Sequence, residues 1–280
     1  MRVVNWEDIV IAIEKMCIKA NCQLDDKLLL KIKEMRGNEE SPIGQDILDK
    51  IIENSKIAYE NTMPLCQDTG MAVFFVEMGQ EVFIKGGTIK DAINEGVRRG
   101  YKSGYLRKSV VKDPIIRDNT KDNTPAIIHY DITGGDKLKI DFAPKGFGSE
   151  NMGRLSMLKP SDGIEGIKNF VVETVEKAGP NPCPPLIVGV GIGGTMEKAC
   201  ILAKKSLFRE VGKYNTKPHI KELEVDLLSK INSLGIGPQG LGGRTTALAV
   251  NIETYPTHIA GLPIAVNLNC HVSRHESIEI

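Results

Sequence analysis

The stretch Leu186-Ile187-Val188-Gly189-Val190-Gly191-Ile192-Gly193-Gly194-Thr195 decides how this chain folds. A short continuous apolar run at 186–190, bounded by glycine, is the pattern of a buried strand. A helix is expected to follow over 195–211. Gly189, Gly191 and Gly194 fit the G-x-G-x-x-G spacing. After a strand and before a helix, that spacing marks a doubly wound, dinucleotide-binding sheet. Such a sheet needs a further apolar strand ending in Asp or Glu after the helix. The chain has Lys213-Tyr214-Asn215-Thr216-Lys217-Pro218 instead, and the glycines come late. They are therefore read as a tight turn that lets backbone approach a bound group, and the fold class as α+β.

The flanking sequence agrees. Residues 217–234 read as a helix, and 246–252 and 264–268 as strands. On the other side, a helix covers about 164–178 and stops at Gly179-Pro180. Residues 127–133 and 138–142 flank Gly134-Gly135-Asp136-Lys137 and are expected to pair as a hairpin. Thr88, with Asp91 three residues on, opens a helix running to about Gly100. The β-branched and aromatic run 71–76 reads as a buried strand. Residues 6–60 read as helices: Ile9, Ile13, Met16, Cys17 and Ala20 recur at helical spacing. Ser41-Pro42 is a cap followed by proline at the first helical position. One domain over 1–280 is expected, with a helical front at 1–62 and an α+β part at 63–280 that carries the chemistry.

Lys plus Arg number 36 and Asp plus Glu number 36, a net charge of zero. That balance argues against a nucleic-acid or membrane-surface protein, whose affinity comes from clustered basic charge. No apolar run approaches the roughly 20 residues of a membrane span, and acidic residues interrupt the N-terminus at once. A cytoplasmic location is expected. The six cysteines are then core thiols, reactive thiols or metal ligands rather than a disulfide framework.

Cys17, Cys22 and Cys200 lie on or beside helices and read as small core residues. Cys66, Cys183 and Cys270 lie in loops entering or leaving strands, where a sheet can fix a ligand loop. Three thiolates are one short of a closed four-cysteine site. A cluster so held leaves one iron without a protein ligand, able to act as a Lewis acid. His271 and His275 follow Cys270, but zinc would need a fourth ligand at short spacing and none is apparent.

Five motifs, in order, carry a resemblance. They are Pro64-Leu65-Cys66-Gln67-Asp68-Thr69-Gly70, Gly146-Phe147-Gly148-Ser149-Glu150-Asn151, Cys183-Pro184-Pro185 with the glycine run after it, Gly237-Pro238-Gln239-Gly240-Leu241-Gly242-Gly243, and Tyr255-Pro256-Thr257-His258 ahead of Cys270. Together they resemble class I (iron–sulfur) fumarate hydratases and L(+)-tartrate dehydratases, in the N-terminal, α-subunit type of domain. The resemblance implies a [4Fe–4S] cluster on Cys66, Cys183 and Cys270. It also implies reversible hydration of fumarate to L-malate, with L(+)-tartrate dehydration as the alternative.

By the same resemblance Asp68 and His258 are catalytic candidates, and Gln67, Arg107 and Gly148 substrate-binding ones. A dicarboxylate needs cationic forks, which suits arginine. The chain ends ten residues after Cys270, whereas single-chain members continue into a second domain. A separate β subunit is therefore expected, in an α2β2 assembly. The rival readings are a nucleotide-dependent oxidoreductase domain and a non-catalytic scaffold with a structural metal.

Overall fold

The structure is a computed structural model and describes residues 1–280. In chain order it contains β1 (Arg2–Asn5), α1 (Trp6–Cys22), α2 (Asp26–Asn38), α3 (Pro42–Asn61), β2 (Met71–Gly79), β3 (Val82–Lys85) and α4 (Ile89–Ser103). Then come β4 (Ile127–Thr133), β5 (Leu138–Lys145), α5 (Phe147–Glu150), β6 (Arg154–Leu158), α6 (Gly163–Ala178) and β7 (Leu186–Gly193). The chain closes with α7 (Met196–Ser206), α8 (Pro218–Asn232), β8 (Ala247–Tyr255), β9 (Leu262–Asn269) and β10 (Glu276–Glu279). This is a mixed α+β architecture, as the sequence pattern indicates. No helix is long and apolar enough to cross a membrane.

The chain forms two compact units. The first comprises Met1–Leu24, Ser55–Phe147 and Arg274–Ile280, and the second Asp25–Asn54 and Gly148–Ser273. The helical front is thus divided: α1 belongs to the first unit, α2 and most of α3 to the second. Its local reading holds, since Ser41 Oγ accepts the Gly44 N–H at 3.1 Å and Pro42 opens α3.

In the first unit a four-stranded sheet runs β10-β5-β2-β4. The expected hairpin is not there. β2 lies between β4 and β5, parallel to one and antiparallel to the other. The reason is burial: Ala72 to Val76 is buried without a break, and such a strand belongs in the middle of a sheet, paired on both sides. The link from Thr133 to Leu138 therefore crosses the end of β2. Two strand spacings are about 10 Å, well within reach of that link at about 3.4 Å per residue. Gly79 marks the crossing, because a Cβ there would meet Gly135 O at 2.2 Å. Under the sheet, α4 presses on α1 through two glycines. A Cβ on Gly96 would sit 2.5 Å from the Ile13 Cβ, and one on Gly100 2.7 Å from the Cys17 Cβ.

In the second unit the sheet runs β6-β9-β7-β8, with β7 parallel to β8 and antiparallel to β9. Every residue of β7 is buried. Here the glycine run has a different use from the expected turn toward a ligand. A Cβ on Gly189 would meet Ala203 O at 2.3 Å, and one on Gly191 would meet Ala199 O at 2.1 Å. Both contacts are backbone of α7, so these glycines let the helix lie directly on the strand. α7 also ends at Ser206, short of the expected 211. Arg209, just beyond, turns its guanidinium to the buried Glu224 and donates to Ile252 O at 2.7 Å. Without Arg209 the buried Glu224 carboxylate would lose its counter-charge, which is costly.

This packing gives a contrast. Gly191→Ala should cost about 3 kcal/mol or more of stability through overpacking. Gly134→Ala, on the open crossing link with nothing within 4 Å, should stay within about 0.5 kcal/mol of the parent. Thermal unfolding of the two variants checks this; equal effects would contradict the close helix–strand contact.

Candidate functional site

In the first unit the loop ahead of β2 presents Cys66, Gln67 and Asp68. Cys66 is half-buried and Gln67 exposed. A loop that turns side chains outward cannot pair its own backbone, so buried polar groups must do so. The Leu65 N–H donates to Asn21 O at 2.8 Å. Tyr101, fully buried, donates its hydroxyl to Thr69 O at 2.6 Å. Asn123, also fully buried, donates to Gly70 O at 3.1 Å. Arg274, almost wholly buried, donates to Asp68 O at 2.9 Å and to Asn21 Oδ1 at 3.1 Å. Thr69 Oγ1 donates to Arg107 O at 3.1 Å, so the Arg107 segment is fastened to the same loop while its guanidinium stays exposed.

The side chains of the loop are fixed as well. The Asp68 N–H points at Cys66 Sγ, 3.4 Å away. Asp68 Oδ1 accepts the Gly70 N–H and Oδ2 the Phe147 N–H, each at 2.9 Å. Both oxygens of Asp68 are thus held by backbone donors, a capping arrangement that also aims the carboxylate. Gly70, at φ +71°, admits no side chain: a Cβ would meet Pro144 C at 2.7 Å.

In the second unit Cys183 lies three residues before β7 and Cys270 immediately follows β9. These strands are antiparallel, with Ile187 opposite Asn269, so the two cysteines emerge at the same end of the sheet. The His271 N–H donates to Cys183 O at 3.3 Å. Gly148 belongs to this end too: a Cβ there would approach Asn181 O at 3.6 Å, an ordinary contact. Nothing in the packing demands glycine at 148.

His258 does not join them. It follows β8, which runs parallel to β7 with Gly193 opposite Tyr255. It therefore emerges at the opposite end of the same sheet, roughly 20 Å away at about 3.3 Å per strand residue. The resemblance implies a catalytic role for His258; within this chain the strand directions place it at the other end of the sheet from Cys183 and Cys270. Its ring accepts the Ala260 N–H at 3.2 Å in an exposed turn.

The remaining thiols lie elsewhere. Cys17 and Cys22 are buried, as expected of core residues. Burial pushes the Cys17 thiol far up, with Glu14 adding to the effect. Burial also raises Cys22, against a lowering by Arg274. Cys200 is exposed, contrary to the core reading, because Ala199, Leu202, Ala203 and Ser206 take the inward face of α7. Its thiol is also raised by partial burial. Within neither unit do three His, Cys, Asp or Glu side chains group to hold a single metal ion.

Sequence reasoning missed the residues that hold these loops: Tyr101, Asn123 and Arg274 in the first unit, Gln239 and Glu39 in the second. The Glu39 side chain is buried and accepts the N–H groups of Ser41 at 3.1 Å, Arg244 at 3.0 Å and Thr245 at 2.8 Å. It thereby ties the loop 235–246 to the start of α3. Burial alone would raise its pKa, but the hydrogen bonds from Thr245, Arg244 and Ser41 outweigh it and hold the carboxyl below its ordinary value. A polar residue in an amphipathic helical stretch carries no mark of such a task.

A family model described as fumarate hydratase (Fumerase) matches residues 10–279. A chain of Methanocaldococcus jannaschii that carries the provisional name L(+)-tartrate dehydratase subunit alpha is 47% identical over 252 residues, covering 87% of each chain. The L(+)-tartrate dehydratase subunit alpha of Escherichia coli (strain K12) is 32% identical over 259 residues, covering 91% of this chain and 85% of its own. Its counterpart in Escherichia coli (strain UTI89 / UPEC) is 32% identical over 261 residues, covering 92% and 86%.

The Glu39 arrangement is testable. Glu39→Ala leaves buried N–H groups unpaired and should cost about 2–4 kcal/mol. Because the folded pKa is lowered, this stability is fully present above the unfolded carboxylate value of about 4.3 and disappears as pH falls through the folded pKa. Denaturant midpoints of variant and parent should differ at pH 7, and the gap should narrow as the pH falls through the lowered folded pKa of Glu39. A pH-independent gap would contradict a charged Glu39.

Proposed function

We propose a function from one premise: this chain belongs to the fumarate hydratase (Fumerase) family. The family, with relatives named as dehydratase α subunits, makes it the α subunit of a hydro-lyase. The reaction we assign is the addition and loss of water across the central carbons of a four-carbon dicarboxylate. Fumarate and L-malate are the first choice, from the family. L(+)-tartrate is the second, favoured by the names that the relatives carry. The carrying observation is the match over 10–279 together with three cysteines in strand-end loops whose backbones are fastened from outside.

The cofactor we propose is a [4Fe–4S] cluster with Cys66 from the first unit and Cys183 and Cys270 from the second as its ligands. The donor set suits it. Cys66 Sγ already faces an N–H at 3.4 Å, the kind of hydrogen bond to sulfur that surrounds iron–sulfur clusters. None of the three cysteines is fully buried, whereas burial disfavours the thiolate at Cys17 and Cys22. An iron without a protein ligand supplies Lewis acidity.

The roles of the chain's own residues follow from their placement. Asp68 is assigned proton transfer at the substrate carbon, its carboxylate aimed by Gly70 N–H and Phe147 N–H. Gln67 is assigned a polar contact to the substrate. Arg107 offers its exposed fork to a substrate carboxylate, its loop held by Thr69. Gly148 keeps side-chain bulk away from the Cys183 and Cys270 end. His258, at the far end of the sheet, receives no role beside those cysteines of its own chain. A partner β subunit completes the charge balance of a dicarboxylate, and pairing of two αβ units follows the usual two-fold rule.

Iron and acid-labile sulfide in anaerobically purified protein test the cofactor. About four of each per chain are expected. Serine at Cys66, Cys183 or Cys270 should abolish them, and serine at Cys17, Cys22 or Cys200 should not. A parent protein without sulfide would end this reading.

Assays with and without a β subunit test the subunit role. Little turnover is expected from α alone, and full activity from α alone contradicts the proposal. With β present, the ratio of kcat/KM on malate and tartrate assigns the substrate.

A further inference from the structure

The segment Asn181-Pro182-Cys183-Pro184-Pro185 is poor in hydrogen-bond donors. Its three prolines have no N–H, and the Cys183 N–H is turned back to Pro180 O at 3.0 Å. What the segment offers outward is carbonyl oxygen. Those oxygens find donors on two other loops of the same unit. Cys183 O accepts the His271 N–H at 3.3 Å. Pro184 O accepts twice from one residue: the Gln239 N–H at 2.8 Å and the Gln239 side-chain Nε2 at 2.8 Å. The same Nε2 lies 3.1 Å from His271 Nδ1. One amide group thus spans the loop before β7 and the loop after β9, the loops that carry Cys183 and Cys270.

Gln239 is held in a conformation that does not favour it. Its φ is +52°, the left-handed region, which costs a residue with a Cβ and suits glycine. The loop gives it little freedom: a Cβ on the adjacent Gly240 would meet Pro180 Cβ at 2.3 Å. A glutamine kept where glycine would be easier is kept for its side chain, and here the side chain donates to Pro184 O and lies against His271 Nδ1, itself 3.1 Å from Cys183 O.

We propose that Gln239 is a positioning residue which, by donating its side-chain amide to Pro184 O and meeting the His271 ring, fixes the Cys183 and Cys270 loops relative to one another. The geometric part stands on this unit alone. Its consequence for an iron–sulfur cluster rests on the reading of Cys183 and Cys270 as ligands. Gln239 and His271 thereby set where the backbone that carries Cys183 lies. Loosening the tether should leave the fold intact and disturb the cluster environment, as loss of outer hydrogen bonds does at other metal sites.

Two substitutions separate donor chemistry from folding. Gln239→Gly relieves the left-handed strain and keeps the backbone N–H, so thermal stability should be equal or higher. Gln239→Glu keeps the volume but sets carboxylate oxygen against Pro184 O. In the metal-free full-length protein, hydrogen–deuterium exchange of peptides containing Cys183 and His271 should quicken about tenfold in both variants, with peptides of β7 unchanged. After anaerobic reconstitution, both variants should show an altered electron paramagnetic resonance spectrum of the cluster and faster iron loss in air than the parent.

Parent-like exchange in both variants overturns the proposal. So does a parent-like Gln239→Glu, since volume alone would then suffice. Quickened exchange in the variants, in a parent that binds no iron or sulfide, supports the tether and overturns only its extension to a cluster.

Discussion

A buried or strand-bordering loop must have its backbone N–H and C=O groups paired, and a loop that turns its side chains toward chemistry cannot pair them itself. Both units answer this constraint with buried or half-buried polar side chains reaching in from elsewhere in the same unit. In the first, Tyr101, Asn123 and Arg274 take up Thr69 O, Gly70 O and Asp68 O. In the second, Gln239 serves Pro184 O and Glu39 gathers the N–H groups of Arg244 and Thr245. Each such bond contributes about 1 kcal/mol net. Leaving one of these buried groups unpaired costs more than that, which makes the holders as necessary as the groups that they hold. Tyr101 shows the scale of the commitment. Its hydroxyl is buried and its pKa pushed far up by that burial, which favours the protonated, donating form.

The glycines divide along a similar line. Some permit a turn, as Gly70 does at φ +71°. Others permit contact: Gly96 and Gly100 bring α4 onto α1, and Gly189 and Gly191 bring α7 onto β7. The second kind explains how a dinucleotide-like spacing arises without a dinucleotide. In the nucleotide fold one glycine serves close helix–strand packing. Here that need governs Gly189 and Gly191 in the middle of a buried strand, well away from the strand end where a pyrophosphate would sit.

Much of the secondary structure was legible because it rests on local causes. Thr88 accepts the Asp91 N–H at 3.1 Å to open α4. Ser41-Pro42 opens α3, and unbroken apolar runs mark β2 and β7. The loops of Cys66 and Cys183 were legible for the same reason: proline and glycine punctuate them. Pairing was less legible. A four-residue Gly-rich link between 133 and 138 looks like a hairpin whether its strands touch or flank a third, and only the burial of 72–76 distinguishes the two. The holders were invisible, because Asn123, Arg274 and Glu39 are ordinary polar residues in sequence. What distinguishes them is being buried, and burial is decided by tertiary packing.

Strand direction decides which residues can share a site, and it does so by parity rather than by distance along the chain. Cys183 precedes β7 and Cys270 follows β9, separated by 87 positions in the numbering. Because β7 and β9 are antiparallel, entry to one and exit from the other fall at the same end. His258 is only 12 positions before Cys270. Yet it leaves β8, which is parallel to β7, and the length of β9 then separates it from Cys270. Gly148 reaches the cysteine end by the same rule. It precedes β6, which is antiparallel to β9, with Arg154 opposite Val266 near the strand's exit. A catalytic assignment built on closeness in sequence therefore needs an even or odd count of strand passages before it means anything in space. On that count the second unit gathers a glycine and two thiols at one end of its sheet, where the Gln239 amide bonds to Pro184 O beside Cys183.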